Sequence, residues 1–195
     1  MRKAYGLVFF ILFAWLASAS TTITFNGLGG NSDDPYSSYS ESGYTVTSTG
    51  GDWFVAKVFG NPVPDIYLGP VFSPTNGTVS VTGSPFTFDS VDLSSNNGES
   101  AYTYSGYLGG ILQFTGGLTL PNEGSTGSFA TYDDPLYSGI LIDDLQIALN
   151  PGSGTTSVNL DNIVLNATAP EPGSFVLLGT GILGLVGMLR RKRTN

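Results

Sequence analysis

The chain of 195 residues contains no cysteine and no histidine. Without cysteine there is no disulfide, no thiolate metal site and no thiol nucleophile. Without histidine there is no Ser-His-Asp triad, no Cys-His pair and no imidazole metal ligand. Positive charge is nearly as scarce. Of 7 Lys+Arg, six lie at the extremities (Arg2, Lys3, Arg190, Arg191, Lys192 and Arg193), which leaves Lys57 alone between them. Of 15 Asp+Glu, only Glu171 lies in the last 26 residues, so residues 20–169 carry 14 acids against one base, a formal charge of −13. Such a body is repelled by nucleic acid and by anionic membrane surfaces, and it has no arginine to clamp a phosphate. Acid–base work falls to carboxylates, tyrosines and one lysine. Helical periodicity is missing too: no stretch keeps a 3.6-residue apolar repeat over 11 residues.

What is present begins with two end segments of distinct character. Arg2-Lys3 is a basic start, Tyr5 to Leu16 an apolar run of secretory length, and Ala17-Ser18-Ala19 offers small residues for cleavage, so residues 1–19 are expected to be a signal peptide removed by signal peptidase. At the other end, Pro170-Glu171-Pro172 is followed by an uncharged run, Gly173 to Leu189, and then by Arg190-Arg191-Lys192-Arg193. Sixteen residues from Ser174 make a helix of about 24 Å, short against a hydrocarbon core of about 30 Å, and the arginines can snorkel to recover part of the deficit. Gly179, Gly181, Gly184 and Gly187 are costly in a water-soluble helix and tolerated in lipid. The four cations are the stop that keeps a C-terminus cytoplasmic.

The ordered triplet, apolar run and basic end resemble the PEP-CTERM sorting signal of exported bacterial proteins. The resemblance implies recognition by an exosortase, a membrane transpeptidase-like protease cutting near the triplet. It also implies association with exopolysaccharide or biofilm material. The two prolines keep the triplet extended, as a protease cleft requires. The expected organisation is therefore a signal peptide (1–19), a body (20–169) and a sorting segment (170–195). The precursor is held transiently in the membrane on the way to the envelope, cell surface or matrix.

The body reads as short β-rich runs between turn clusters. Strands are expected at 22–25, 44–48, 53–59, 78–82, 86–93, 101–108, 111–115, 128–132, 141–149 and 157–165. Loops are expected at 26–43 and at 61–74, the latter holding four prolines. Gly109-Gly110 is a hairpin turn. Phe86 and Phe88 share one parity while Val91 and Leu93 share the other, so a β-bulge near Asp89-Ser90 is needed to bring all four inward. The architecture expected is all-β, an antiparallel two-sheet sandwich of jelly-roll type. The bulged 86–93 run and the terminal Asn159-Leu-Asp-Asn-Ile-Val-Leu165 strand resemble the jelly-rolls of carbohydrate-binding modules and related lectin-like domains.

Two kinds of residue could carry a site. Sugars stack on aromatic faces, and Tyr102, Tyr104 and Tyr107 lie together, with Tyr102 and Tyr104 on one strand face; the alternative is that tyrosine is here a half-buried strand residue. Adjacent carboxylates at Asp33-Asp34, Asp133-Asp134 and Asp143-Asp144 offer hard oxygen ligands, yet none has the spacing of an EF-hand loop, and Asp is also a common turn former. The jelly-roll resemblance implies a structural Ca²⁺ held with the help of Asp161. The function expected is non-enzymatic: an exported envelope or matrix protein associated with polysaccharide. Alternatives are a lectin-like module and, less favoured, a glycoside hydrolase using two carboxylates across a cleft.

Overall fold

The computed structural model describes residues 18–168 apart from 59, 61, 126 and 134. The signal-peptide run, Ala17, the triplet Pro170-Glu171-Pro172 and the basic stop Arg190–Arg193 lie outside the described residues, and of Ala19 only the backbone is described. Ala19–Thr168 forms one compact unit.

Eleven strands make up this unit: β1 (Ser18–Ile23), β2 (Ser38–Glu41), β3 (Tyr44–Gly50), β4 (Asp52–Ala56), β5 (Asp65–Gly69), β6 (Gly77–Asn96), β7 (Ser100–Leu108), β8 (Ile111–Leu120), β9 (Ala130–Asp133), β10 (Ile142–Pro151) and β11 (Ser157–Thr168). Every pairing with a defined register is antiparallel. The expected all-β sandwich is what forms, with β6 at its centre. The first half of β6 pairs with β10 and β3, from Gly77↔Leu149 to Phe86↔Ile142. Its second half pairs with β11 and β9, ending at Asn96↔Ser157. One layer thus runs β2-β3-β6-β10-β7-β8 and the other β4-β5-β11-β6-β9, with β1 also paired to β11, and β6 crosses between them at Phe86.

The crossing depends on irregularities visible in the residues. Along β11, Ser90 faces Val164 while Phe88 faces Leu165, so Asp89 is the extra residue, and Phe86, Phe88, Val91 and Leu93 are all buried as the parity argument requires. A complementary bulge lies on β11, where two residues, Asn162 and Ile163, oppose Val91; Asn162 takes a positive φ of 43°. It brings Ile163 and Leu165 into the core beside Val158 and Leu160. The hairpin at Gly109-Gly110 has φ of 57° and 77°, a pair of values that glycine alone adopts without strain.

Two stretches expected as loops contain strands. The stretch 61–74 holds β5, all five residues of which are buried, Ile66 and Leu68 on the core side. Prolines 62, 64, 70 and 74 flank this strand without interrupting its ladder to β4 and β11, so they punctuate a strand instead of replacing it. The stretch 26–43 holds β2, a polar strand paired with β3, and Pro35 bridges to Phe54.

Candidate functional site

The tyrosines expected to form a sugar platform face inward. Tyr102 is 1% exposed and Tyr104 5%. Their rings stack on each other at 5.3 Å, and Tyr104 packs on Phe88 at 5.6 Å and on Phe114 at 6.2 Å. Alternation correctly places both on one face; that face is the core, and Ala101 and Thr103 point to solvent. Tyr107, half-buried at the end of β7 opposite Asp144, joins neither of them on an exposed surface. This corrects the platform reading.

The acidic pairs are largely consumed by local bonds. Asp34 accepts from the Asn31 backbone at 2.7 Å, and Asp33 accepts from the Tyr67 hydroxyl at 2.6 Å. Asp143 accepts from the Gly109 backbone at 3.0 Å, bracing the hairpin turn, and Asp144 accepts from Ser80 at 2.6 Å. Asp133 is exposed and Asp134 lies outside the described residues. Among the described residues no group of three or more acidic side chains is placed to hold a metal ion.

Asp161 is different, and sequence reading identifies only part of its setting. It is buried and sits directly opposite Asp92 of β6. On its other side β11 pairs with β5 as Val158↔Leu68, Asn159↔Tyr67 and Leu160↔Ile66, so the next step of the same register brings Asp161 beside Asp65. Three carboxylates therefore lie in one row across three strands, on the face turned away from the core. Asp92 is satisfied by Thr131 and Asn162. Asp65 accepts from Asn159 through Oδ1 at 2.8 Å, while its Oδ2, like Oδ1 of Asp161, has no hydrogen-bond partner among the described residues. Gly60 lies against that Asp65 oxygen so closely that any side chain there would collide with it. Burial raises the Asp65 pKa to about 8, the Asn159 bond lowers it, and the Asp161 charge raises it further. Burial likewise raises Asp161 to about 7, against the Asn162 backbone bond and with the charges of Asp92 and Glu41 adding to the rise.

Next to this row, lined by Asn159 and Tyr67 and by none of its three carboxylates, opens a cavity of about 420 Å³, within the range of small-molecule sites. Its polar wall comes from the ends of β6 and β11 and the loop before β11: Asn96, Asn97, Thr156, Ser157 and Asn159. The amides are fixed. Asn159 donates to Asp65, Asn96 donates to Asn159 at 3.0 Å and to Ser157 at 2.8 Å, and the Gly127 backbone donates back to Asn96 at 3.1 Å. The apolar wall is Tyr67 with Val58, Val71 and Phe72, and the last three are exposed at the lip. No signal in one segment could reveal this site, because its walls come from segments that lie far apart in the sequence, from Val58 to Asn159.

Comparison with solved structures gives distant likenesses. A family 29 carbohydrate-binding module from Piromyces equi is 12% identical, with 77% of this chain and 91% of that chain covered and a TM-score of 0.43. A DUF4465 family protein from Bacteroides caccae is 10% identical over 75% of this chain and 98% of that one, at a TM-score of 0.42. A Ruminococcus gnavus GH29 fucosidase is 11% identical over 66% of this chain at a TM-score of 0.39, and the chain spans only 26% of its length. No curated protein matches the sequence. The family comparison falls on the other end of the chain: residues 168–193 match the PEP-CTERM protein-sorting motif, and this protein therefore carries the sorting signal of exported, envelope-associated proteins.

Proposed function

We propose that the exported body is a non-enzymatic polysaccharide-associated protein of the envelope or extracellular matrix, and that it holds carbohydrate in the cavity between the Asn96–Asn159 wall and the Val71–Phe72 lip. The observation that carries this reading is the composition of that cavity. Fixed amides and hydroxyls face an aliphatic and aromatic lip, which is the mixture that hydrogen-bonds sugar hydroxyls while covering their C–H faces. Hydrolysis is disfavoured because no carboxylate lines the cavity among the described residues, and Asp65, the carboxylate with the most raised pKa, is fully buried behind Asn159.

The wider reading has three further parts. Signal peptidase removes residues 1–19. An exosortase then processes the chain near Pro170-Glu171-Pro172, so the apolar run anchors the precursor only transiently. A structural Ca²⁺ would find its carboxylate donors in the partnerless oxygens of Asp161 and Asp65, whose hard-oxygen chemistry suits that ion. A matrix protein with no specific ligand is the competing reading.

Affinity electrophoresis separates the two. The body, residues 20–169, should be retarded in gels carrying extracellular polysaccharide relative to plain gels. Equal mobility across a panel of such gels would leave the ligand-free structural role in its place.

A further inference from the structure

Phe72 is the residue the fold leaves unexplained. It is 81% exposed, so its ring adds nothing to the core. Its φ is 73°, in the left-handed region that a bulky side chain enters only at a cost. The backbone there is held by a bond from the Phe72 amide to the Thr156 carbonyl at 2.8 Å, while Ser73 bonds back to Pro70. A glycine would satisfy this turn without strain. The chain instead keeps a phenyl ring in water at the mouth of the cavity, pinned to the segment that forms the opposite wall. Strain together with an exposed aromatic at a concavity is the pattern of a contact made for a ligand.

Charge narrows the ligand. No charged side chain lines the cavity among the described residues. Two acidic groups stand behind its walls: Asp33 bonded to Tyr67, and Asp65 bonded to Asn159. Lys57, the one cation between the two end segments, is not in the lining. An anionic sugar would lose its hydration there with no counter-charge in the lining, which is costly. An uncharged sugar loses only hydroxyl hydration, and Asn97, Ser125 and Thr156 can replace it at the open side of the cavity.

We propose that this cavity selects an uncharged glycan, with the C–H face of one sugar ring stacked on Phe72 and its hydroxyls bonded to Asn97, Ser125 and Thr156. This rests on the carbohydrate-binding reading above and specifies its ligand class and its contact residue.

The test is an array of neutral oligosaccharides and uronate oligosaccharides, followed by titration calorimetry on the hits with the wild-type body, Phe72→Gly and Asn97→Ala. Neutral members should bind. Phe72→Gly should weaken that binding about tenfold, the scale of one lost aromatic contact. Because glycine relieves the left-handed strain, the same variant should melt no lower than wild type, which separates lost contact from lost fold. Phe72→Trp should retain binding. Binding of uronates in preference to neutral members overturns the ligand class. Neutral binding that Phe72→Gly and Asn97→Ala leave unchanged overturns the site while the carbohydrate-binding reading survives elsewhere on the body. Silence across both halves of the array overturns that reading as well.

Discussion

Replacing Asp65 by asparagine tests the buried carboxylate row most directly. Asp65 has a folded pKa of about 8 against an ordinary 3.8, with burial as the main cause. A raised folded pKa means that the native state prefers the protonated acid. Its contribution is complete below pH 3.8 and is lost progressively as pH climbs to about 8, beyond which the loss levels off. At about 1.4 kcal/mol for each pH unit crossed, the loss is on the order of 5 kcal/mol. About 4 kcal/mol of that loss falls between pH 5 and 8, and in a domain of about 150 residues each kcal/mol moves Tm by roughly 2–4 °C, so in metal-free buffer the wild-type body should melt roughly 8–16 °C lower at pH 9 than at pH 5. The asparagine side chain would keep the oxygen that Asn159 needs and remove the charge. Thermal melts followed by circular dichroism should therefore show Asp65→Asn close to wild type at pH 5 and clearly more stable at pH 9. Adding Ca²⁺ at pH 9 should recover part of the wild-type loss and little in the variant. A wild-type Tm that stays level or rises between pH 5 and 9, or a variant that melts below wild type at pH 9, would refute the reasoning.

Three other outcomes can be checked with ordinary variants. Tyr102→Ala should destabilise the body by about 3–5 kcal/mol in urea melts, since the ring is core; an unchanged midpoint would return Tyr102 to the surface. Gly110→Val should cost about 1–2 kcal/mol and weaken the β7–β8 hairpin, because valine resists a φ of 77°; hydrogen exchange on β8 would report it. In an exosortase-bearing host, mass spectrometry should find a product lacking Arg190–Arg193. Persistence of the full-length chain there would count against processing near Pro170.

The layers and most strands are legible because alternation over Phe86–Leu93 or Leu145–Leu149 is a local property. Even the Asp89 bulge can be read, since two apolar pairs of opposite parity admit one solution. Alternation does not say which face is inside, and that is why the platform expected of Tyr102 and Tyr104 falls on the wrong side. β5 is hidden by its prolines, which mark strand ends as readily as loops. The Asp65–Asp161–Asp92 row depends on register between strands far apart in the chain, so no motif spacing could announce it. Phe72 lies in a stretch that reads as irregular, and its significance appears only with its φ and its exposure together.

Because β6 belongs to both layers, neither sheet can come apart while the other stays whole. The unit should unfold as one cooperative block, with no populated half-molecule. Synthesis order sharpens the point. β6 cannot complete its second ladder until β11 exists, and β11 ends at Thr168, where the sorting motif begins. The strand that completes the body is thus the one that adjoins the sorting motif, so the last pairing of the fold and the delivery signal are supplied by neighbouring residues.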